Sequence, residues 1–220
     1  LMSRLDEIRL KAESDLEAFI NLVQPIRLLG QVHKDLIRWM NRDDRKSHLL
    51  ILLPRDHQKS AIAAFQVAWE ITRNPAIRVL YISSTSPLAR KQLKFIKDIL
   101  TCPQYRKYWP EMVNIDEAKR EKWTETEIAV DHPNRKRDSI RDPTVFIAGL
   151  NTNIVGLHCD LSVLDDVVVD DTAYNPEGRR KVRDQVSYLA SIAGTDARQL
   201  VVGTRYHPKD LYNDLLNMEV

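Results

Sequence analysis

Lys59-Ser60 sits between two apolar stretches of different character. Before it runs His48-Leu-Leu-Ile-Leu-Leu53, a short continuous apolar run of the kind buried on both faces of a parallel sheet. After it, Ile62, Ala63, Phe65, Val67, Ala68 and Ile71 recur at helical spacing. A lysine and a hydroxyl at a strand-to-helix junction suit phosphate. Free N–H groups and the dipole at a helix N-terminus attract an anion, the ammonium reaches its outer oxygens, and the hydroxyl can hold Mg²⁺. Arg55, Asp56, His57, Gln58, Lys59 and Ser60 are therefore candidate phosphate contacts. The usual pattern is G-x-x-x-x-G-K-[ST], and here Leu53 and Gln58 stand at the two glycine positions. Gln58 is the stronger objection, because the loop calls for φ values that glycine adopts freely. The competing reading is a surface turn that carries Lys-Ser by chance.

A second cluster lies at the end of another apolar run, Leu161-Ser-Val-Leu-Asp165-Asp166. Two carboxylates there could divide the remaining work on a bound phosphate. Asp165 would help orient Mg²⁺, and Asp166 would position water as a general base. Alone, Asp-Asp after a strand is what any turn might use. Asp170 and Asp171 follow closely, so the carboxylate pair could also be displaced by a few residues.

The elements that must position these groups alternate. Residues 4–22 read as an amphipathic helix ended by Pro25, and 32–42 as a second helix. Strands are expected at 48–53, 78–83, 127–130, 144–148, 161–164 and 199–202. Helices are expected at 60–72, 87–100, 176–190 and 208–216, with 101–125 irregular and 133–142 a basic loop. Strand–helix alternation predicts an α/β fold with a mostly parallel sheet flanked by helices. The 220 residues suit one such domain with a small appendage, and 43% hydrophobic residues supply its core. Two cysteines, Cys102 and Cys159, make neither a disulfide framework nor a zinc site. No apolar run reaches the roughly 20 residues of a membrane span, and no signal-peptide core opens the chain. A net charge of +2 does not announce nucleic acid, so any such contact must be local.

One segment is more specific. Val201-Val-Gly-Thr204-Arg205-Tyr-His-Pro-Lys-Asp-Leu-Tyr212 resembles the coupling motif of tailed-phage terminase large subunits, where a strand ends in G-T-R-aromatic-H before a helix. Gly149-Leu-Asn-Thr-Asn-Ile-Val-Gly156 is similar to that family's lead-in to the acidic strand. Pro54 to Ser60 looks like its variant phosphate loop, with an early arginine. Pro25 to Trp39, with Gln31 and His33, is similar to its adenine-contacting segment, and Ile82-Ser-Ser-Thr85 to its second strand end. The resemblance covers residues 25–216 and departs from the pattern at Gln58 and at Leu157, where relatives carry arginine after the lead-in glycine.

The resemblance implies a RecA-like (ASCE) P-loop NTPase fold at 25–220, preceded by a helical appendage at 1–24. It implies ATP and Mg²⁺ as ligands, Thr204 and Arg205 as the coupling pair, and hydrolysis that drives double-stranded DNA into a procapsid. The implied partners are DNA, the portal, the small terminase subunit and further copies in a ring, working in the host cytoplasm without a membrane. A neighbouring subunit would supply an arginine finger; Arg135, Arg137, Arg141, Arg179 and Arg180 stay open as candidates. Family members carry a C-terminal nuclease, which is expected to be missing from a chain ending at Val220. DNA would be held by its phosphates, with Arg135-Lys136-Arg137, Arg179-Arg180-Lys181 and Arg90, Lys91, Lys94, Lys97 as candidate contacts. Two rival readings remain: a degenerate module that binds DNA or portal without hydrolysis, and a helicase-like ATPase.

Overall fold

In the computed structural model, which describes residues 3–154, 156–193 and 196–217, six strands form one sheet. They are β1 (His48–Leu52), β2 (Val79–Ser83), β3 (Glu127–Ile128), β4 (Val145–Gly149), β5 (Leu161–Asp165) and β6 (Arg198–Gly203). Their order is β1-β6-β5-β2-β4-β3, parallel throughout except for β3 against β4. The expected mostly parallel sheet is therefore present, with the last strand inserted between the two that carry the candidate residues.

Helices cover both faces. On one side lie α1 (Arg4–Ser14), α2 (Leu16–Val23), α3 (Gln31–Met40), α4 (Lys59–Arg73), α5 (Ser86–Thr101) and α6 (Pro103–Tyr108), around a core that includes Phe19, Ile62, Phe65, Val79, Tyr81 and Val163. Beyond the short α7 (Pro133–Arg137), the other side holds α8 (Asp170–Ala173), α9 (Pro176–Ala193) and α10 (Leu211–Leu216), packed on Leu80, Ile82, Leu164 and Val201. Residues alternate between the two cores along β2, as a strand's period of two requires, and all five of its side chains are buried.

The single helix expected at 4–22 is two. Asp15 leaves the helical conformation (φ −140°, ψ 115°), and its carboxylate caps α2 through the N–H groups of Glu17 and Ala18. Both helices join the main core through Ala12, Leu16, Phe19 and Ile20. The irregular stretch contains α6, whose Tyr105, with Trp109 just after it, is buried against Phe19. The strand expected at 127–130 pairs only over Glu127–Ile128.

The helix that carries Lys59 is fixed at its far end. Glu70 is buried, and burial works against its charge, yet Arg198 at the start of β6 grips both of its oxygens (2.9 and 3.0 Å) and Arg45 stands 3.6 Å away, so its pKa lies below the usual value. An ion pair this enclosed is strongly position-defining, because neither partner can move without stranding a charge.

Candidate phosphate-binding cleft

The chain leaves β1 at Leu52 and turns through residues 53–58 before entering α4 at Lys59. Two residues of the turn, Asp56 (φ 65°) and Gln58 (φ 52°), take left-handed conformations. Gln58 thus adopts, without being glycine, the backbone geometry that glycine ordinarily supplies at this place. Its side-chain carbonyl accepts a hydrogen bond from the Arg27 guanidinium, which lies over the rings of Phe65 and Phe95 (5.2 and 5.5 Å). We expect Gln58→Gly to be more stable than Gln58→Ala by about 1 kcal/mol, since both lose the bond to Arg27 and only alanine keeps the left-handed strain. Urea unfolding of the pair measures this, and equal midpoints would count against it.

The loop is tied to β6 at two places. Leu53 N–H donates to the Gly203 carbonyl (3.1 Å), and the Thr204 hydroxyl donates to the Leu53 carbonyl (3.0 Å). Arg55 points both Nε and Nη2 at the Tyr206 hydroxyl (3.0 and 2.7 Å), with Asp170 3.8 Å away. His57 Nδ1 lies 2.8 Å from the Arg55 carbonyl. Arg205 turns away and donates to the Pro208 carbonyl at 3.4 Å.

Across the turn stand the two carboxylates. Ser60 Oγ donates to Asp165 Oδ1 at 2.7 Å, and the Tyr81 hydroxyl donates to Asp165 Oδ2 at 2.9 Å. Lys59 Nζ sits 3.3 Å from Asp166 Oδ2, with Lys59 only 6% exposed. Asp166 is itself left-handed (φ 47°), and its Oδ1 is buried with no hydrogen-bond partner. Burial pushes the Asp165 carboxyl up to about 6, although the Ser60 and Tyr81 hydroxyls oppose the rise. A carboxyl whose folded pKa exceeds its unfolded value of 3.8 binds more protons when folded, so stability falls as pH rises from about 4 to 6. Above that window the ionised group costs on the order of 3 kcal/mol. Asp165→Asn is therefore expected to be more stable than the parent at pH 8, with the gap closing by pH 4.5. Denaturant unfolding at the two pH values tests it, and a gap that is constant with pH would refute the assignment.

Arg55, Asp56, Gln58, Lys59, Ser60, Ser84, Leu88, Asp166 and Tyr206 line one open cleft of about 540 Å³. The candidates Lys59, Ser60, Asp165 and Asp166, which lie 105 or more residues apart in pairs such as Ser60 and Asp165, are thus brought together at the C-terminal ends of β1 and β5. Gln31 and His33 are not among the lining residues. Gln31 bonds to Asp35 within α3, and His33 Nδ1 accepts from Gly30 N–H at the start of that helix. From that segment it is Arg27 that reaches the loop.

Arg135 must be corrected as a candidate DNA contact or arginine finger. It is buried, and its guanidinium donates to the carbonyls of Pro75, Ile77 and Asp142, so it ties α7 to the segments that precede β2 and β4. Lys136 and Arg137 are exposed, Arg137 beside Asp138. Arg179 is half-buried and donates to the Ala173 carbonyl, whereas Arg180 is exposed. Val155 of the glycine-containing lead-in lies outside the described residues. Tyr81, Arg27 and Tyr206 were missed from sequence. Tyr81 carried a usable signal, because it stands two residues before the end of a strand that a buried aspartate strand could flank.

A strand–turn–helix bearing Lys-Ser, faced by a strand ending in carboxylates with one further strand between, defines the P-loop NTPase class of fold. Solved structures match most of the chain in fold, and they include phage large terminases. The large terminase of bacteriophage HK97 superposes with a TM-score of 0.57 at 13% identity, over 98% of this chain and 41% of that one. A mutant large terminase ATPase domain from Thermus phage P74-26 superposes at 0.54 and 15% identity, over 86% of this chain and 69% of that one. No family model and no curated protein matches the sequence. The chain spans 41% of the length of the HK97 terminase, and at these identities the likeness is one of fold. Among the described residues, no helix is long and apolar enough to cross a membrane.

Proposed function

We propose that the chain is the ATP-hydrolysing motor domain of a phage DNA-packaging terminase, with residues 25–220 forming the ATPase unit and 1–24 a helical addition packed on it. The observation that carries this reading is the pairing of Lys59-Ser60 with Asp165-Asp166 across a strand, β6, with Thr204 just beyond its end hydrogen-bonded to the phosphate loop. The left-handed Gln58 also weakens the degenerate-loop alternative, because the turn forms without its glycine.

In this reading the triphosphate lies along the N-terminus of α4, where Lys59 exchanges Asp166 for phosphate oxygens. Ser60 and Asp165 suit Mg²⁺ by their chemistry: a hydroxyl and a carboxylate already 2.7 Å apart, both hard oxygen donors. Bound there, the cation would neutralise charge on the phosphates. Tyr81 keeps the Asp165 carboxylate turned toward Ser60. Asp166, freed from Lys59, accepts a proton from the attacking water. Arg55 is a second phosphate contact held ready by Tyr206, and Thr204 and Arg205 relay the state of the loop to α10. DNA is gripped through its backbone phosphates at exposed cations, for which Lys136, Arg137, Arg180 and Lys181 remain available. The portal, the small subunit and neighbouring copies in a ring complete the machine.

The test is steady-state ATP hydrolysis with Mg²⁺, alone and with double-stranded DNA, across a range of protein concentrations. Turnover that climbs with concentration and with DNA is the expected result, since a trans-acting arginine requires assembly. Failure of millimolar ATP to shift the melting temperature would overturn the reading.

A further inference from the structure

The end of β2 carries consecutive hydroxyls, Ser83 and Ser84, just before α5. Ser83 is in register with Asp165 on one side and with Gly149 on the other. It is 2% exposed, and its Oγ has no hydrogen-bond partner. Ser84 Oγ is buried and equally without a partner, and Ser84 lines the cleft shared by Lys59, Ser60 and Asp166. Two consecutive buried hydroxyls, one of them at the cleft, thus lack partners among the described residues. Buried polar atoms in native proteins are nearly always satisfied, so orphans gathered at one place indicate a polar ligand that supplies the missing bonds.

The backbone around them favours an anion. The 16-residue α5 begins at Ser86 behind Thr85, whose side chain makes no capping bond. Its first turn approaches β4 so closely that a Cβ on Gly149 would stand 2.6 Å from Ser86 N. The cleft is thus flanked by the positive ends of two helices, α4 behind Lys59 and α5 behind Ser84.

Resting on the function proposed above, we infer that Ser84 binds the terminal phosphate of a nucleoside triphosphate from the side opposite Lys59, with Ser83 supporting it. The Ser84 hydroxyl donates to a terminal phosphoryl oxygen. As water attacks, its oxygen bonds to the terminal phosphorus, the bond to the diphosphate breaks, and the water proton passes to Asp166. Ser84 holds the phosphoryl group in place while this occurs and exchanges no proton itself.

Titrations of a fluorescent imido analogue of ATP and of fluorescent ADP against the parent, Ser84→Ala and Ser84→Thr provide the test, with circular dichroism and melting temperature to verify folding. Ser84→Ala is expected to weaken the triphosphate analogue about tenfold and leave ADP within twofold, because a hydrogen bond to a charged group is lost only where the terminal phosphate is present. Ser84→Thr should restore the triphosphate preference. An unchanged preference in Ser84→Ala overturns the inference, as does equal weakening of both ligands, which would make Ser84 structural. Lost DNA binding with the preference intact would assign the hydroxyl to a nucleic-acid phosphate and also overturn it. A parent protein that binds neither nucleotide would instead remove the functional reading beneath it.

Discussion

Lys59→Ala is expected to abolish nucleotide binding, seen as loss of the ATP-dependent rise in melting temperature. Lys59 is nearly buried, and its ammonium is the cation that faces Asp166 across the cleft. Without it, a triphosphate would enter beside two carboxylates with that counter-charge gone. Losing a charged contact to the phosphates costs roughly 3 kcal/mol, hence on the order of 100-fold in affinity. Asp166 is 38% exposed and can be solvated, so the variant should fold. A variant that binds ATP as tightly as the parent would remove Lys59 from the phosphate site.

Asp166→Ala should separate binding from turnover. Loss of a positioned general base lowers hydrolysis by about 10²–10⁴-fold. Affinity should move the other way, because Asp166 pairs with Lys59 and so competes with phosphate for it. A several-fold tighter complex with the imido analogue, alongside vanishing phosphate release, is the expected pair of results. Weakened binding with hydrolysis preserved would place the base elsewhere, Asp170 being the next carboxylate near the cleft through its contact with Arg55.

Much of this arrangement was legible in the sequence. The runs at His48–Leu52 and Leu161–Asp165 are apolar without alternation because both faces of a parallel sheet are covered, and Lys59-Ser60 and Asp165-Asp166 fall at their ends. Strand order was not legible as spacing, because nothing local in Gln199–Val202 says that this strand enters between β1 and β5. Arg135 misled for a related reason. Its neighbours Lys136 and Arg137 are surface cations, and only the tertiary fold brings three carbonyls to its guanidinium. Tyr81 likewise acquires its contact with Asp165 from a neighbour 84 positions away. Gln58 argued against the loop on propensity, and tertiary contacts, among them the one from Arg27, outweighed it.

The position of β6 also dictates the sequence of assembly. Among the described strands, β1 pairs with β6 alone, and β5 meets β1 only through it. During synthesis β2, β4 and β5 can associate as they emerge, while β1, made far earlier, waits with both edges unpaired until residues 198–203 arrive. Pairing across so long a separation is slow, and an open strand edge invites association with other chains in the interval. The cleft between Lys59 and Asp166 is consequently among the last features to form on a growing polypeptide. Acquisition of nucleotide affinity would therefore mark the nearly finished domain, and a nascent chain halted before residue 198 should remain a client of chaperones.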